Sequence, residues 1–153
     1  MDVNIDRGTI GFFRIGDKFE SSKGPINGPG YSVYIKDAVV VGFLIRFREV
    51  METEESRLIC DGKFYKYHSR TPSIVFRDQI IKNSEVIKID KDSKPNHIAS
   101  IFEVKCEYWD DDVCLGMSFV LDNLEYEFSW SWVSENDFQL DYLHIELCRK
   151  QIS

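Results

Sequence analysis

The stretch Leu124–Trp132, Leu-Glu-Tyr-Glu-Phe-Ser-Trp-Ser-Trp, constrains the fold more than any other part of the chain. Leu124, Tyr126, Phe128, Trp130 and Trp132 alternate with Glu125, Glu127, Ser129 and Ser131. A β-strand sends successive side chains to opposite faces, so this period of two predicts a strand that buries four aromatics and a leucine beneath a small, acidic outer face.

The flanking sequence extends the pattern. From about Ile98, Phe102, Val104, Cys106 and Tyr108 alternate with Glu103, Lys105 and Glu107, and Asp110-Asp111-Asp112 reads as a turn. Val113–Leu121 is the predicted return strand, and Asp122-Asn123 leads into the central one. Ser134–Asp137 turns the chain again, and Asp141–Cys148 closes the sheet with Leu143, Ile145 and Leu147 facing in and Tyr142, His144 and Glu146 facing out. Short turns between successive strands predict an antiparallel meander from about Ile98 to Cys148.

Upstream, Tyr31–Ile35 and Ala38–Arg48 are predicted strands joined at Lys36-Asp37. The run Ala38–Val41 suggests burial on both faces at the start of the second strand, giving way to one-sided burial further on. Asp61-Gly62 between Arg57–Cys60 and Lys63–Tyr67 is a strong hairpin signal, because its backbone freedom suits the tight turn that twisted strands need. Ile74–Phe76 and Glu85–Ile89 are short strand candidates, Arg77–Asn83 is strand or helix, and Asp90–Asn96 is a polar loop. Near the N-terminus, Ile10–Ile15 is a short strand candidate interrupted by Gly11, and Asp17–Glu20 suits one helical turn. Gly24-Pro25 and Gly28-Pro29-Gly30 mark Ser21–Gly30 as a loop. Glu49–Glu55, with four glutamates, reads as an exposed loop or a single helical turn.

Composition agrees with strands. Eleven Phe, seven Tyr and three Trp suit pleated, half-buried surfaces, and alanine occurs only at Ala38 and Ala99. With 153 residues, no repeat and no linker, the expectation is one domain over 1–153. The expected fold is mainly β: an antiparallel sheet with a C-terminal meander, arranged as a sandwich or partly open barrel, with at most short helices. The N-terminus lacks a basic segment and an apolar core, and no apolar run approaches membrane-spanning length, so a cytoplasmic chain is expected, with no membrane partner. Cys60, Cys106, Cys114 and Cys148 are widely spaced, without C-x-x-C or a nearby histidine, and are read as reduced structural residues.

Charge is distributed unevenly. Residues 1–100 hold 16 Lys/Arg against 14 Asp/Glu, whereas residues 101–153 hold 3 against 12. Phosphate contacts need clustered basic residues, so nucleic acid is excluded as a partner. A basic protein partner suits the acidic half, and the alternative is a solvated surface that aids solubility. The candidate partner-binding residues are Asp110, Asp111, Asp112, Glu125, Glu127, Trp132, Glu135 and Asp137.

Catalytic and cofactor signals are weak. Asp110–Asp112 with Glu107 lacks calcium-loop spacing and reads as an acidic turn. His144 and Glu146 share a strand face and form either a surface pair or a general base. Ser118 in Leu-Gly-Met-Ser-Phe is not a nucleophile elbow, because Phe119 stands where a small residue is needed. The expectation is a non-enzymatic protein without cofactor or metal.

Three features together resemble bacterial immunity proteins of contact-dependent inhibition and polymorphic-toxin systems. They are the acidic character of a small chain, the segment Ile-Gly-Phe-Phe-Arg-Ile-Gly-Asp-Lys-Phe before a Gly/Pro loop, and an aromatic meander ending in Leu-His-Ile-Glu-Leu. The resemblance implies an inhibitor that binds a cognate toxin, such as a nuclease, and blocks its active site. The alternative expectation is a small-ligand binder with the Gly/Pro loop at a cavity mouth.

Overall fold

The computed structural model describes residues 1–49, 57–60, 63–66, 75–110 and 114–148, the two segments 57–60 and 63–66 at the level of backbone pairing. The chain is mainly β, with two antiparallel-dominated sheets, one short helix and, among the described residues, no closed barrel.

The larger sheet begins with β5 (Tyr31–Lys36), β6 (Val39–Arg46) and the two-residue β4 (Asn27–Gly28). It continues with β11 (Glu107–Asp110), β12 (Cys114–Leu121), β13 (Leu124–Ser134) and β14 (Asp137–Leu147). Their order is β11-β12-β13-β14-β6-β5-β4, every pair antiparallel. The organising stretch is therefore the third strand of seven, paired with β12 on one side and β14 on the other. Leu124, Tyr126, Phe128 and Trp130 are buried, as the alternation predicts. Trp132 is 45% exposed, because its end of the strand extends beyond the core.

The meander is shorter than expected at its start. Pro95–Phe102 forms helix α1, not loop followed by strand. Pro95 occupies the first helical turn, where its missing N–H has no intrahelical partner to lose. Ile98 and Phe102, four residues apart, bury one stripe of the helix. Glu103 ends it in a left-handed conformation (φ 53°), its N–H donating to Ala99 O. The alternation through Phe102, Val104 and Cys106 is thus not a strand, and only its last part becomes β11. The C-terminal strand also differs from expectation. β14 does not close the sheet, since β6 pairs along its outer side, Ile145 opposite Phe43.

The second sheet is drawn from regions of weak pattern. It contains β1 (Val3–Asn4), β2 (Thr9–Ile10), β3 (Phe13–Arg14), β9 (Ile80–Lys82) and β10 (Glu85–Ile87), in the order β10-β9-β1-β2-β3. The β1–β9 pair is parallel. Gly11, at φ 56°, turns the chain between β2 and β3, so the interrupted strand is in fact a tiny hairpin. The helical turn expected at Asp17–Glu20 lies instead at Ser21–Lys23, and Lys18 bridges to Val39. The turn between β5 and β6 is Asp37-Ala38, one residue later than predicted, with both residues at positive φ. Double-sided burial in β6 falls at Gly42–Ile45 and not at Ala38–Val41. Val75 and Phe76 form no strand, although Phe76 N–H donates to Arg46 O at 2.9 Å.

β7 (Arg57–Cys60) and β8 (Lys63–Lys66) pair antiparallel with Cys60 opposite Lys63, as the hairpin signal requires. The predicted turn residues Asp61-Gly62, the acidic segment beyond Glu49 up to Glu55, and Asp111 and Asp112 lie outside the described residues.

One continuous core joins the two sheets and the helix. It includes Val3, Ile5, Ile10, Phe13 and Ile80 from the small sheet side, Ile98 and Phe102 from α1, and Met117, Phe119, Tyr126, Phe128, Trp130, Leu143 and Ile145 from the large sheet. Phe119 stacks on Tyr126 with ring centroids 4.9 Å apart, and Phe102 packs on Phe119 at 4.7 Å. The polar ends of the buried rings are satisfied by distant backbone. Tyr126 hydroxyl donates to Ile5 O at 2.6 Å, and Trp130 Nε1–H donates to Ser93 O at 2.7 Å.

Trp130→Ala is expected to lose about 3–5 kcal/mol of unfolding free energy, since a fully buried indole is removed and its cavity cannot fully collapse. Trp132→Ala, on the same face two residues on, should change stability by less than about 1 kcal/mol because that ring is half exposed. Urea unfolding of the two variants checks the pair, and equal losses would misplace the boundary of the core.

Candidate functional site

The strand registers sort the acidic half of the chain into two places. On the face of the large sheet opposite the core, cross-strand pairing aligns Glu107, Ser118, Glu127, His144, Leu44 and Ser32 in one row. A second row aligns Val120, Glu125, Glu146, Gly42 and Tyr34. His144 Nδ1 stands 3.8 Å from Glu127 Oε2, and its Nε2 stands 3.9 Å from Glu146 Oε2. The Tyr34 ring meets the imidazole edge-on at 5.5 Å. Gly42 sits where a Cβ would come within 2.6 Å of Ile145 O, so that place requires a residue without a side chain. The sequence pair His144–Glu146 is thus joined by Glu127 from the neighbouring strand.

The second place is one end of the large sheet, where β11 stops at Asp110 and β13 turns into β14. The register sets Asp110 opposite Leu115, Leu115 opposite Trp130, and Trp132 opposite Phe138. Asp110, Glu135 and Asp137 are exposed there. Large apolar side chains accompany them: Tyr108, Trp109, Trp132 and Val133 are among the exposed hydrophobic residues of the chain. Trp109 lies over Gly116, at which an added Cβ would fall 1.9 Å from the indole. The glycine therefore lets the ring lie flat on the sheet. Trp132 packs edge-on to Phe138 at 5.1 Å. Slight burial, helped by the Cys106 thiol, raises the Tyr108 hydroxyl above its ordinary range and keeps it neutral.

Basic groups near this end are already engaged. Lys94 Nζ donates to Asp137 Oδ1 at 3.0 Å and to Phe138 O at 2.5 Å, and lies 4.4 Å from the centroid of the Phe138 ring. Arg48 Nε donates to Asp141, whose other carboxylate oxygen accepts from Ser131. Among the described residues no cation pairs with Asp110 or Glu135, and these two carboxylates give the end of the sheet its negative field.

Of the sequence-predicted partner residues, Asp110, Trp132, Glu135 and Asp137 are brought together at this end. Glu125 and Glu127 are on the polar face with Glu146. Sequence reading missed Tyr108 as a surface residue, because its alternation with Cys106 suggested a buried face, and gave Trp109 no role. It also missed Lys94, which the fold carries across to Asp137. Cys106 and Cys148 are free thiols. Among the described residues no group of His, Cys, Asp or Glu side chains is arranged to hold a metal ion, and no helix is long and apolar enough to cross a membrane.

Among the described residues, surface hollows occur elsewhere. One of about 300 Å³ lies between Asp78–Ile80 and Val86–Ile89, and one of about 500 Å³ is lined by Phe47, Arg48, Val75, Arg77, Asp90 and Lys91 among others. Neither includes the Ser21–Gly30 loop, which the ligand-binding alternative places at a cavity mouth. Comparison of the chain with protein-family models, curated proteins and solved structures finds no match.

Lys94 holds the Asp137 carboxyl below the usual carboxylate range, by its hydrogen bond first and its charge second. A folded-state pKa below the unfolded one makes this contribution complete above the ordinary Asp range, and it fades as pH falls through the lowered value. In an NMR titration, Lys94→Met should return the Asp137 midpoint to the ordinary range. An unchanged midpoint would remove Lys94 as the cause.

Proposed function

We propose that this chain is a non-enzymatic immunity protein, an inhibitor that binds and neutralises a cognate basic toxin through its acidic surface. One observation carries the reading: toward one end of the large sheet, exposed Tyr108 and Trp132 on one face, Trp109 on the other and Val133 accompany the exposed carboxylates Asp110, Glu135 and Asp137. Aromatic side chains supply most of the affinity in protein interfaces, since they bury large area at small cost in conformational entropy. A surrounding negative field steers a basic partner and rejects an acidic one. Lys94 neutralises Asp137 and Arg48 neutralises Asp141, so the field of this end comes from Asp110 and Glu135. The half-buried Glu125, Glu127 and Glu146 extend it over the adjoining sheet face. A nuclease is a suitable toxin class, because an enzyme that binds phosphate presents the basic surface this end would meet.

The test is capture kinetics against the product of the neighbouring reading frame at two ionic strengths. Replacing Asp110, Asp111 and Asp112 by Asn should lower the association rate about 10-fold at low salt and flatten its salt dependence. Replacing Glu52, Glu54 and Glu55 by Gln, an equal change of charge, should do much less. Trp132→Ala should raise the dissociation rate about 30-fold, as loss of a buried aromatic anchor does. Equal effects of the two charge variants would reduce the matter to net charge, and no binding by the parent protein would end the proposal.

A further inference from the structure

The geometry points to β11 as a receiving edge, at which a basic, extended segment of a protein partner is added to the large sheet as an eighth strand. The inference rests on the acidic-docking reading and specifies how the contact is made.

The two edges of the large sheet are unlike. At one, β4 contributes only Asn27 and Gly28, too short to template another chain. At the other, all four residues of β11 are exposed and, among the described residues, its single neighbour is β12. In an antiparallel pair alternate residues direct N–H and C=O toward the neighbour, so the remaining residues of β11 direct theirs outward. Proteins ordinarily blunt such an edge with a short strand, proline, a bulge or charged side chains. β11, Glu-Tyr-Trp-Asp, has neither proline nor bulge, and its guards are two carboxylates, which repel an acidic strand and attract a basic one.

The side chains of β11 state what the added strand should be. Glu107 and Trp109 project to one face of the sheet and Tyr108 and Asp110 to the other, so each face offers one carboxylate beside one aromatic ring. A neighbouring strand bearing Lys or Arg would set its cations against these carboxylates and rings on both faces. The chain around the edge reinforces the sign, with Glu103, Glu107, Asp110, Asp111 and Asp112 against Lys105 alone. A second copy would bring two more carboxylates and no cation to the edge, so charge favours a basic strand over self-pairing.

The probe is a synthetic peptide of about eight residues in which Lys-Lys pairs alternate with Val-Thr pairs, so that both faces carry cations, compared with the same sequence N-methylated throughout. N-methylation keeps every charge and side chain and removes the backbone donors. The full chain is labelled with ¹⁵N, and amide hydrogen exchange is followed across Glu107–Asp110. The unmodified peptide should slow exchange of the outward amides of β11 by at least about 10-fold and bind at least about 10-fold more tightly than its methylated form. Glu107→Gln combined with Asp110→Asn should weaken it about 10-fold at low salt, whereas Asp122→Asn, at a distant turn, should not. Equal binding of the two peptides would reduce the contact to charge attraction and overturn the inference, as would absence of binding. The same exchange measurement in complex with the neighbouring frame's product separates the two proposals. A bound product that leaves β11 unprotected retains acidic docking and refutes strand addition. A peptide that protects β11 while the product fails to bind leaves the edge and removes the toxin.

Discussion

Burial of Tyr126, Phe128 and Trp130 along one side of β13 is the interaction on which the rest of the structure depends. Phe128 stands between the other two in the core of the large sheet. Tyr126 and Trp130 each carry a polar atom that would be costly to bury unpaired. Tyr126 reaches the backbone of Ile5 in the N-terminal segment, and Trp130 reaches Ser93 just ahead of α1. Two side chains of one strand thus fix the positions of the small sheet and the helix. Burial also raises the Tyr126 hydroxyl above the ordinary tyrosine range, with the Asp6 and Asp122 carboxylates adding to it. The group remains a neutral donor through the pH range in which the carboxylates ionise.

The large sheet has a different character on its other face. The same alternation that buries the aromatics sends Glu125 and Glu127 outward, where the register brings them to Glu146 and His144 of β14. Three carboxylates on adjoining strands repel one another, and His144 lies between two of them. The functional proposal draws on this division, because a face and a sheet end rich in carboxylates beside exposed indoles suit attraction and anchoring of a cationic protein better than recognition of phosphate. Paired Lys94 and Arg48 mark the inner border of that region.

The sandwich also explains why the two ends of the chain differ. The N-terminal segments are two-residue strands held by pairing with β9, and their apolar residues are consumed in covering the large sheet. The C-terminal strands are longer than that cover requires. β13 and β14 run on past Trp130 and Leu140, the last fully buried pair, and display Trp132, Val133 and the acidic turn. What the core does not need becomes surface available for binding.

Periodicity alone determined β12, β13 and β14, their antiparallel order and the inward sets Tyr126-Phe128-Trp130 and Leu143-Ile145, because alternating burial leaves a direct trace in composition. Asp122-Asn123 and the Ser134–Asp137 turn were legible for the same local reason, as was the acidity of residues 101–153. Helix α1 was hidden because Phe102, Val104 and Cys106 mimic a strand, although Pro95 and the four-residue spacing of Ile98 and Phe102 were available as signals. The small sheet was legible only in part: Glu85–Ile89 and Ile10–Ile15 showed as strand candidates, but strands of two or three residues are too short to show a period, and the pair that joins the two halves, Val3 with Ile80, lies 77 residues apart. Tertiary structure alone decided that β14 is interior to its sheet, that β11 is an edge with exposed aromatics, and that Lys94 answers Asp137. Each depends on which strand or loop arrives alongside, and long-range pairing is set by the fit of the whole core, not by the order of residues within any one segment.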